Sequence, residues 1–169
     1  SSFFDAVNNS MSNIASGGFS SRNASIGYWN SMPIIQYIII LFMFLAGTNF
    51  ILIYFGLTGK FKKIIQNTEF KWYLSFISVF TIVITVALFM SVDLNETDVF
   101  HPQVLGKFES SFRHALFQVV AIITTTGFVT GDFISWTPFI TMFFFGIMFL
   151  GGSSGSTSGG VKILRHLIL

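Results

Sequence analysis

The chain has 169 residues, of which 52% are hydrophobic and 9% charged, with 23 phenylalanines, no cysteine and a formal charge of +2. A soluble domain ordinarily carries about 25% charged residues, so this chain has too little polar surface to face water, and a bilayer is its natural solvent. The small net charge, with no recognition motif beside it, excludes a nucleic-acid partner. The lack of cysteine excludes disulfides and thiolate metal sites.

Residues 1–32 are rich in Ser, Asn and Gly and cannot span a membrane. The apolar run from Pro33 to Leu57 predicts a single spanning helix, roughly 37 Å long at 1.5 Å per residue against a hydrocarbon core of about 30 Å. Pro33 suits a first helical turn, and Tyr28 and Trp29 stand where an aromatic belt would lie. Asn49, inside this run, reads as an interhelical hydrogen-bonding residue. A basic segment follows, Gly59-Lys60-Phe61-Lys62-Lys63. A second span is expected over Trp72–Val92. The lysine excess places the 59–71 loop in the cytoplasm and the 93–108 loop outside, although Lys107 and Arg113 count against that assignment.

Residues 109–122 predict a helix too short to cross. It breaks at Thr124-Thr125-Thr126-Gly127-Phe128-Val129-Thr130-Gly131-Asp132. A third apolar run, from Pro138 to Leu150, covers about two-thirds of a bilayer. It stops at Gly151-Gly152-Ser153-Ser154-Gly155-Ser156-Thr157-Ser158-Gly159-Gly160, after which 161–169 reads as an apolar helix carrying Lys162 and Arg165. The chain starts without an initiator Met or a basic leader and ends within an apolar pattern, so it reads as a segment of a longer membrane protein.

The chain also repeats itself. At an offset of 109 residues, Phe3, Ala6, Ile14, Gly18 and Phe19 fall on Phe112, Ala115, Ile123, Gly127 and Phe128. At an offset of 105, Pro33 falls on Pro138, and Met43-Phe44-Leu45-Ala46-Gly47 on Met148-Phe149-Leu150-Gly151-Gly152. Each repeat reads as a short helix, a glycine-containing loop and an apolar helix. Non-helical backbone at membrane depth must be enclosed by protein or line a water-filled cavity. Loop carbonyls can replace an ion's hydration shell, glycine allows a positive φ and a close approach, and the negative end of the short helix favours a cation. Ser16, Thr124, Thr125 and Thr126 could line such a path without adding charge.

The segments Ile14-Ala15-Ser16-Gly17-Gly18-Phe19-Ser20 and Ile123-Thr124-Thr125-Thr126-Gly127-Phe128-Val129-Thr130 resemble two selectivity-filter loops of the Trk/Ktr/HKT superfamily of potassium transporters. The stretch Ser20–Gly27 resembles the segment after such a filter, and 151–160 with Val161 and Lys162 resembles the superfamily's intramembrane gating loop. The resemblance covers nearly the whole chain. It implies an all-α membrane fold of repeated span, pore helix, filter loop and span, four units around one pore. Residues 1–58 would be the pore helix, filter and span of one unit, 59–71 a cytoplasmic loop, and 72–169 the next unit with its gating loop.

The resemblance further implies potassium uptake, with filter carbonyls of Ser16, Gly17, Gly18, Phe19, Thr125, Thr126, Gly127 and Phe128 around a dehydrated ion. Gating would fall to Gly151, Gly152, Ser153, Ser154, Gly155, Ser156, Thr157, Ser158, Gly159 and Gly160, with Lys162 and Arg165 coupling loop position to a regulator or merely anchoring topology. It implies an inner (plasma) membrane protein, a homodimer of the full-length polypeptide and a cytosolic nucleotide-binding regulatory subunit. No cofactor is implied beyond transported potassium, with sodium as the alternative ion.

Plainer readings stand beside these. Gly18 and Gly127 could be helix-capping glycines, and 151–160 a flexible linker. As a phosphate loop that segment fails, since Val161 stands where lysine is needed. His101, His114 and His166 have no ligand spacing, and Asn95-Glu96-Thr97 matches a glycosylation sequon by a short and common motif. No catalytic constellation is present, so an enzyme has no anchor. A non-conducting membrane scaffold, with glycines serving helix packing, is the rival function.

Overall fold

The computed structural model describes residues 3–91, 105–132 and 136–168. Within them the chain is helical, with α1 (Phe3–Ile14), a 3-10 turn (Ser25–Trp29), α2 (Pro33–Ala46), α3 (Phe50–Leu57), α4 (Phe61–Gln66), α5 (Thr68–Ser91), α6 (Lys107–Ile123), α7 (Pro138–Ile147) and α8 (Ile163–Ile168). The segment holding His101, the sequon at Asn95 and most of the 93–108 loop lies outside the described residues.

The expected single span over Pro33–Leu57 is corrected. α2 ends at Ala46, and α3 leaves at 112° to it. Gly47, Thr48 and Asn49 make the break. The Oδ1 of Asn49 accepts the Ile51 N–H at 2.9 Å and caps α3, because a helix start has amide groups with no partner inside the helix. Asn49 is therefore a cap rather than an interhelical bridge. The break has a steric reason too. A Cβ at Gly47 would collide with the Tyr73 hydroxyl of α5 and stand 2.5 Å from the Thr124 Cγ2.

Among the described residues one helix is long and apolar enough to cross a bilayer unaided, Thr68–Met90. It begins four residues before the expected start at Trp72, because Asn67 Oδ1 accepts the Phe70 N–H at 2.9 Å and nucleates the first turn. The basic segment before it, expected as loop, contains the short helix α4. α7 opens on Pro138 with Thr137 as its cap, and α8 starts at Ile163, two residues later than expected.

The core forms around α6. Phe117, Val119, Val120, Ala121 and Ile123 are buried, together with Met43 of α2, Ile84 and Leu88 of α5, and Ile140 and Phe144 of α7. α6 is thus enclosed on several sides, although it is too short to span. Arg113, read from the sequence as a topology charge, is fully buried and paired with Glu109 at 2.9 Å. α1 packs on α2 more loosely. Asn13 Nδ2 donates to the Ile39 carbonyl at 3.2 Å, while Phe3, Phe4, Met11 and Ile14 stay exposed. The outer faces of α2, α5 and α7 expose Ile34, Leu41, Ile82, Met90, Met142 and Phe145, a surface that suits lipid or neighbouring apolar helices and not water.

Candidate ion-conducting site

The C-termini of α1 and α6 close in the same way. At α1, Ala15 N–H donates to Met11 O (3.0 Å), Ser16 N–H to Asn13 O (3.1 Å) and Gly17 N–H to Ser12 O (2.8 Å). At α6, Thr124 donates to Val120 O (2.9 Å), Thr125 to Ile122 O (3.0 Å) and Thr126 to Ala121 O (2.9 Å). Every donor and acceptor corresponds at the 109-residue offset. These are Schellman-type closures, in which the residue after the cap takes a left-handed conformation. Here Ser16 (φ 52°) and Thr125 (φ 54°) take it. The helix-capping role weighed for Gly18 and Gly127 therefore belongs to Ser16 and Thr125.

Two residues on, Gly18 (φ 68°) and Gly127 (φ 76°) enter the left-handed region again. Backbone that leaves its loop carbonyls without partners inside the protein can offer them to a cation in place of water. Among the described residues, no hydrogen bond is accepted by the carbonyls of Ser16, Gly17, Gly18 and Phe19, or by those of Thr125, Thr126, Gly127 and Phe128. The two turns adjoin, since a Cβ at Gly18 would overlap the Thr126 carbonyl oxygen and stand 3.3 Å from the Gly127 Cα. Beyond the turns, Gly27 N–H donates to Val129 O at 3.1 Å, so the two outer arms are also joined.

The side chains are less symmetric. Thr124 and Thr126 are buried behind the second turn, their hydroxyls 2.8 Å apart, with Thr124 also donating to Val120 O at 2.7 Å. Neither lines a path, against the sequence expectation. Phe128 is buried in the core, while Phe19 is 79% exposed. The first outer arm is held by Asp5, whose carboxylate accepts from Ser21 Oγ at 2.6 Å and Arg22 Nη2 at 3.1 Å.

The Gly/Ser segment 151–160 enters the helix break of the first repeat and touches both turns. Ser153 N–H donates to Gly47 O at 3.0 Å and Thr157 N–H to Ala46 O at 3.3 Å, while Phe50 N–H donates to Gly155 O at 3.2 Å. The hydroxyls of Ser16 and Thr157 lie 2.9 Å apart, and Gly159 N–H donates to Thr125 Oγ1 at 2.6 Å. The segment closes on itself where Gly151 N–H meets Val161 O at 2.9 Å. The segment is therefore held by hydrogen bonds to both repeats.

Two charged residues flank the loop. Lys162, proposed from sequence, folds back so that its Nζ donates to the Ser158 carbonyl and to Ser158 Oγ at 3.2 Å. Glu69, near the start of α5, accepts the Ser154 N–H at 2.5 Å and is buried. Sequence reading missed Glu69. The available signal was an acidic residue at the head of the long apolar helix α5. Arg165 is exposed on α8 and is not drawn into the loop. His114 is buried with its Nδ1 2.9 Å from Thr130 Oγ1. Among the described residues no group of three or more His, Cys, Asp or Glu could hold a metal ion.

The family model for TrkH, described as a cation transport protein, matches residues 1–169. The chain belongs to the TrkH family of cation transport proteins. It is 35% identical over 167 residues to the Trk system potassium uptake protein TrkH of Escherichia coli strain K12, covering 98% of this chain and 32% of that protein. It is 32% identical over 169 residues to TrkG of the same strain, with the same coverage. Its structure matches the crystal structure of the potassium transporter TrkH from Vibrio parahaemolyticus with a TM-score of 0.83 at 32% identity, over 98% of this chain and 33% of the other. The chain thus spans about a third of the length of these relatives. The helical membrane fold and the non-enzymatic class expected from the sequence agree with this membership.

Proposed function

We propose that this chain supplies two adjacent units of a pseudo-fourfold pore for potassium uptake. The supporting observation is the repeated turn itself. Ser16 and Gly18 in one copy, and Thr125 and Gly127 in the other, hold left-handed φ at matching positions, on two turns whose backbones touch. Their eight carbonyls, Ser16–Phe19 and Thr125–Phe128, would replace the hydration shell of a dehydrated cation, and the negative ends of α1 and α6 would favour its charge. The relatives named potassium uptake proteins make potassium the preferred ion, with sodium the competitor. The remaining filter turns would come from other parts of a longer polypeptide carrying these residues.

The 151–160 segment would act as the gate, because it bonds both filter turns and fills the break between α2 and α3. Lys60, Lys62 and Lys63 put the 59–71 segment on the cytoplasmic side of the inner membrane, with the 93–108 loop outside. A homodimer and a cytosolic nucleotide-binding subunit acting on the gate complete the proposal. The test is potassium-dependent growth of a transport-deficient host carrying the full-length gene. Growth at low potassium is expected, and it should be lost with Gly127→Ser. Failure of a well-expressed wild-type protein to support growth would favour a non-conducting scaffold.

A further inference from the structure

Behind the second filter turn runs a buried polar chain that neither the filter nor the gate uses. Arg113 of α6 donates from Nε to Glu109 Oε1 at 2.9 Å and from Nη1 to the Gln36 Oε1 of α2. Gln36 Nε2 donates to Asn30 Oδ1 at 2.5 Å, and Asn30 Nδ2 donates to the Thr130 carbonyl at 2.8 Å. Arg113 and Gln36 have no exposed surface, and Asn30 is 2% exposed. The chain therefore starts at a buried ion pair on the second pore helix, crosses to the first repeat, and returns to the second repeat two residues past Phe128.

The direction of every bond is fixed. Arg113 can only donate, so the Gln36 amide must present its oxygen to Arg113 and its nitrogen to Asn30. Asn30 must then accept from Gln36 and donate to Thr130. The Arg113 charge acts as an amide-orienting device, and the last amide clamps the carbonyl of the arm that leaves the filter. Buried hydrogen bonds hold geometry where the amides are engaged on both sides, as Gln36 and Asn30 are, while among the described residues Arg113 Nη2 and Glu109 Oε2 are buried without a hydrogen-bond partner. Selectivity between ions is set by the size of the carbonyl cage and by the number and field strength of its dipoles, and both depend on where the arm places its carbonyls.

We propose that Gln36 and Asn30 are positioning residues for ion selectivity, transmitting the fixed orientation of the buried Arg113 guanidinium to the outer arm of the second filter turn. The inference rests on the pore reading above and adds residues outside the filter to it.

The test uses the full-length transporter in proteoliposomes, with potassium and sodium fluxes measured separately. Gln36→Glu keeps an acceptor for Arg113 and so protects folding, but its carboxylate cannot donate to Asn30. Asn30→Asp keeps the acceptor for Gln36 and cannot donate to Thr130. Each is expected to lower the potassium-to-sodium flux ratio about tenfold, equivalent to about 1.4 kcal/mol, with some loss of thermal stability from the added buried carboxylate but with potassium flux retained in the folded protein. Tyr37→Phe, which removes a 3.0 Å hydrogen bond to Glu109 from the same helix as Gln36, is expected to leave the ratio unchanged. A wild-type ratio in either folded variant overturns the proposal, and Asn30→Asp alone carries the test if Gln36→Glu does not fold. Equal loss of both fluxes together with stability would mean a merely structural role and would also overturn it. A wild-type protein without selective flux would instead overturn the pore reading itself.

Discussion

The Oγ of Ser16 lies 2.9 Å from the Oγ1 of Thr157, so the turn that closes α1 touches the Gly/Ser loop through a side chain. Thr125, the counterpart of Ser16 at the 109-residue offset, touches the same loop by accepting the Gly159 N–H at 2.6 Å. Both are the left-handed residues of their turns, and a β-branched residue there is strained by about 1–3 kcal/mol. The hydrogen bond to Gly159 offsets part of that cost. The two turns and the Gly/Ser loop are therefore joined through two hydroxyls.

Thr125→Val keeps the branched shape and the strained φ but removes the acceptor. It should lose about 0.5–1 kcal/mol of stability, the net worth of one hydrogen bond whose exposed donor water can serve, and raise cation flux by freeing the loop. Thr125→Gly frees the loop while relieving the strain, so it should raise flux with higher stability than Thr125→Val. Thermal unfolding in detergent beside proteoliposome flux distinguishes the two. Equal stabilities would show that φ 54° at this position carries no strain.

Gly18 and Gly127 should respond differently to the same methyl group. A Cβ at Gly18 meets the Thr126 carbonyl, whereas a Cβ at Gly127 meets nothing within 4 Å. Gly18→Ala should cost about 2–5 kcal/mol, from strain plus overpacking, and reduce the yield of folded protein. Gly127→Ala should cost only the left-handed penalty of about 1–2 kcal/mol. Comparable losses in the two variants would show that the turns do not abut as described.

Glu69 is a second hold on the Gly/Ser loop, through the Ser154 amide. Glu69→Leu leaves that donor unmatched and should raise flux, whereas Glu69→Gln retains a carbonyl acceptor and should stay near wild type. Deleting three or four residues between Gly152 and Gly159 should raise flux further and weaken control by a regulatory partner. Unchanged flux and intact regulation in a folded deletion variant would reduce the segment to a linker.

Much of this arrangement was legible in the sequence because the repeat carries it. The offset that superimposes Ile14 on Ile123 also superimposes the two helix closures bond for bond. The offset that sets Gly47 on Gly152 already marked the first apolar run for a break at the place where the second one breaks. That break was not read, because apolar length alone made Pro33–Leu57 look like one span, and Asn49 looked like a polar residue inside it rather than a cap. The roles of Thr124 and Thr126 depended on which way each side chain turns from a tight loop, which pattern does not encode. Glu69 meets Ser154 across 85 residues, and Arg113 meets Gln36 across 77. Such pairings follow from packing, and single-residue chemistry does not announce them.

Asn49 gives a check on the break. Asn49→Ala removes the cap on α3 and should cost about 1 kcal/mol, with a smaller effect on flux than Glu69→Leu. Thermal unfolding measures the first and proteoliposome flux the second. No stability loss would mean that the α3 start is held by Gly155 and its neighbours alone.

Potassium and sodium fluxes through full-length protein bearing Gly127→Ser, purified and reconstituted beside the wild type, test the filter assignment most directly. The exposed site tolerates the side chain, but φ 76° does not suit it. The folded variant should conduct less or lose its preference for potassium. A folded variant with wild-type flux and wild-type selectivity would contradict the filter assignment.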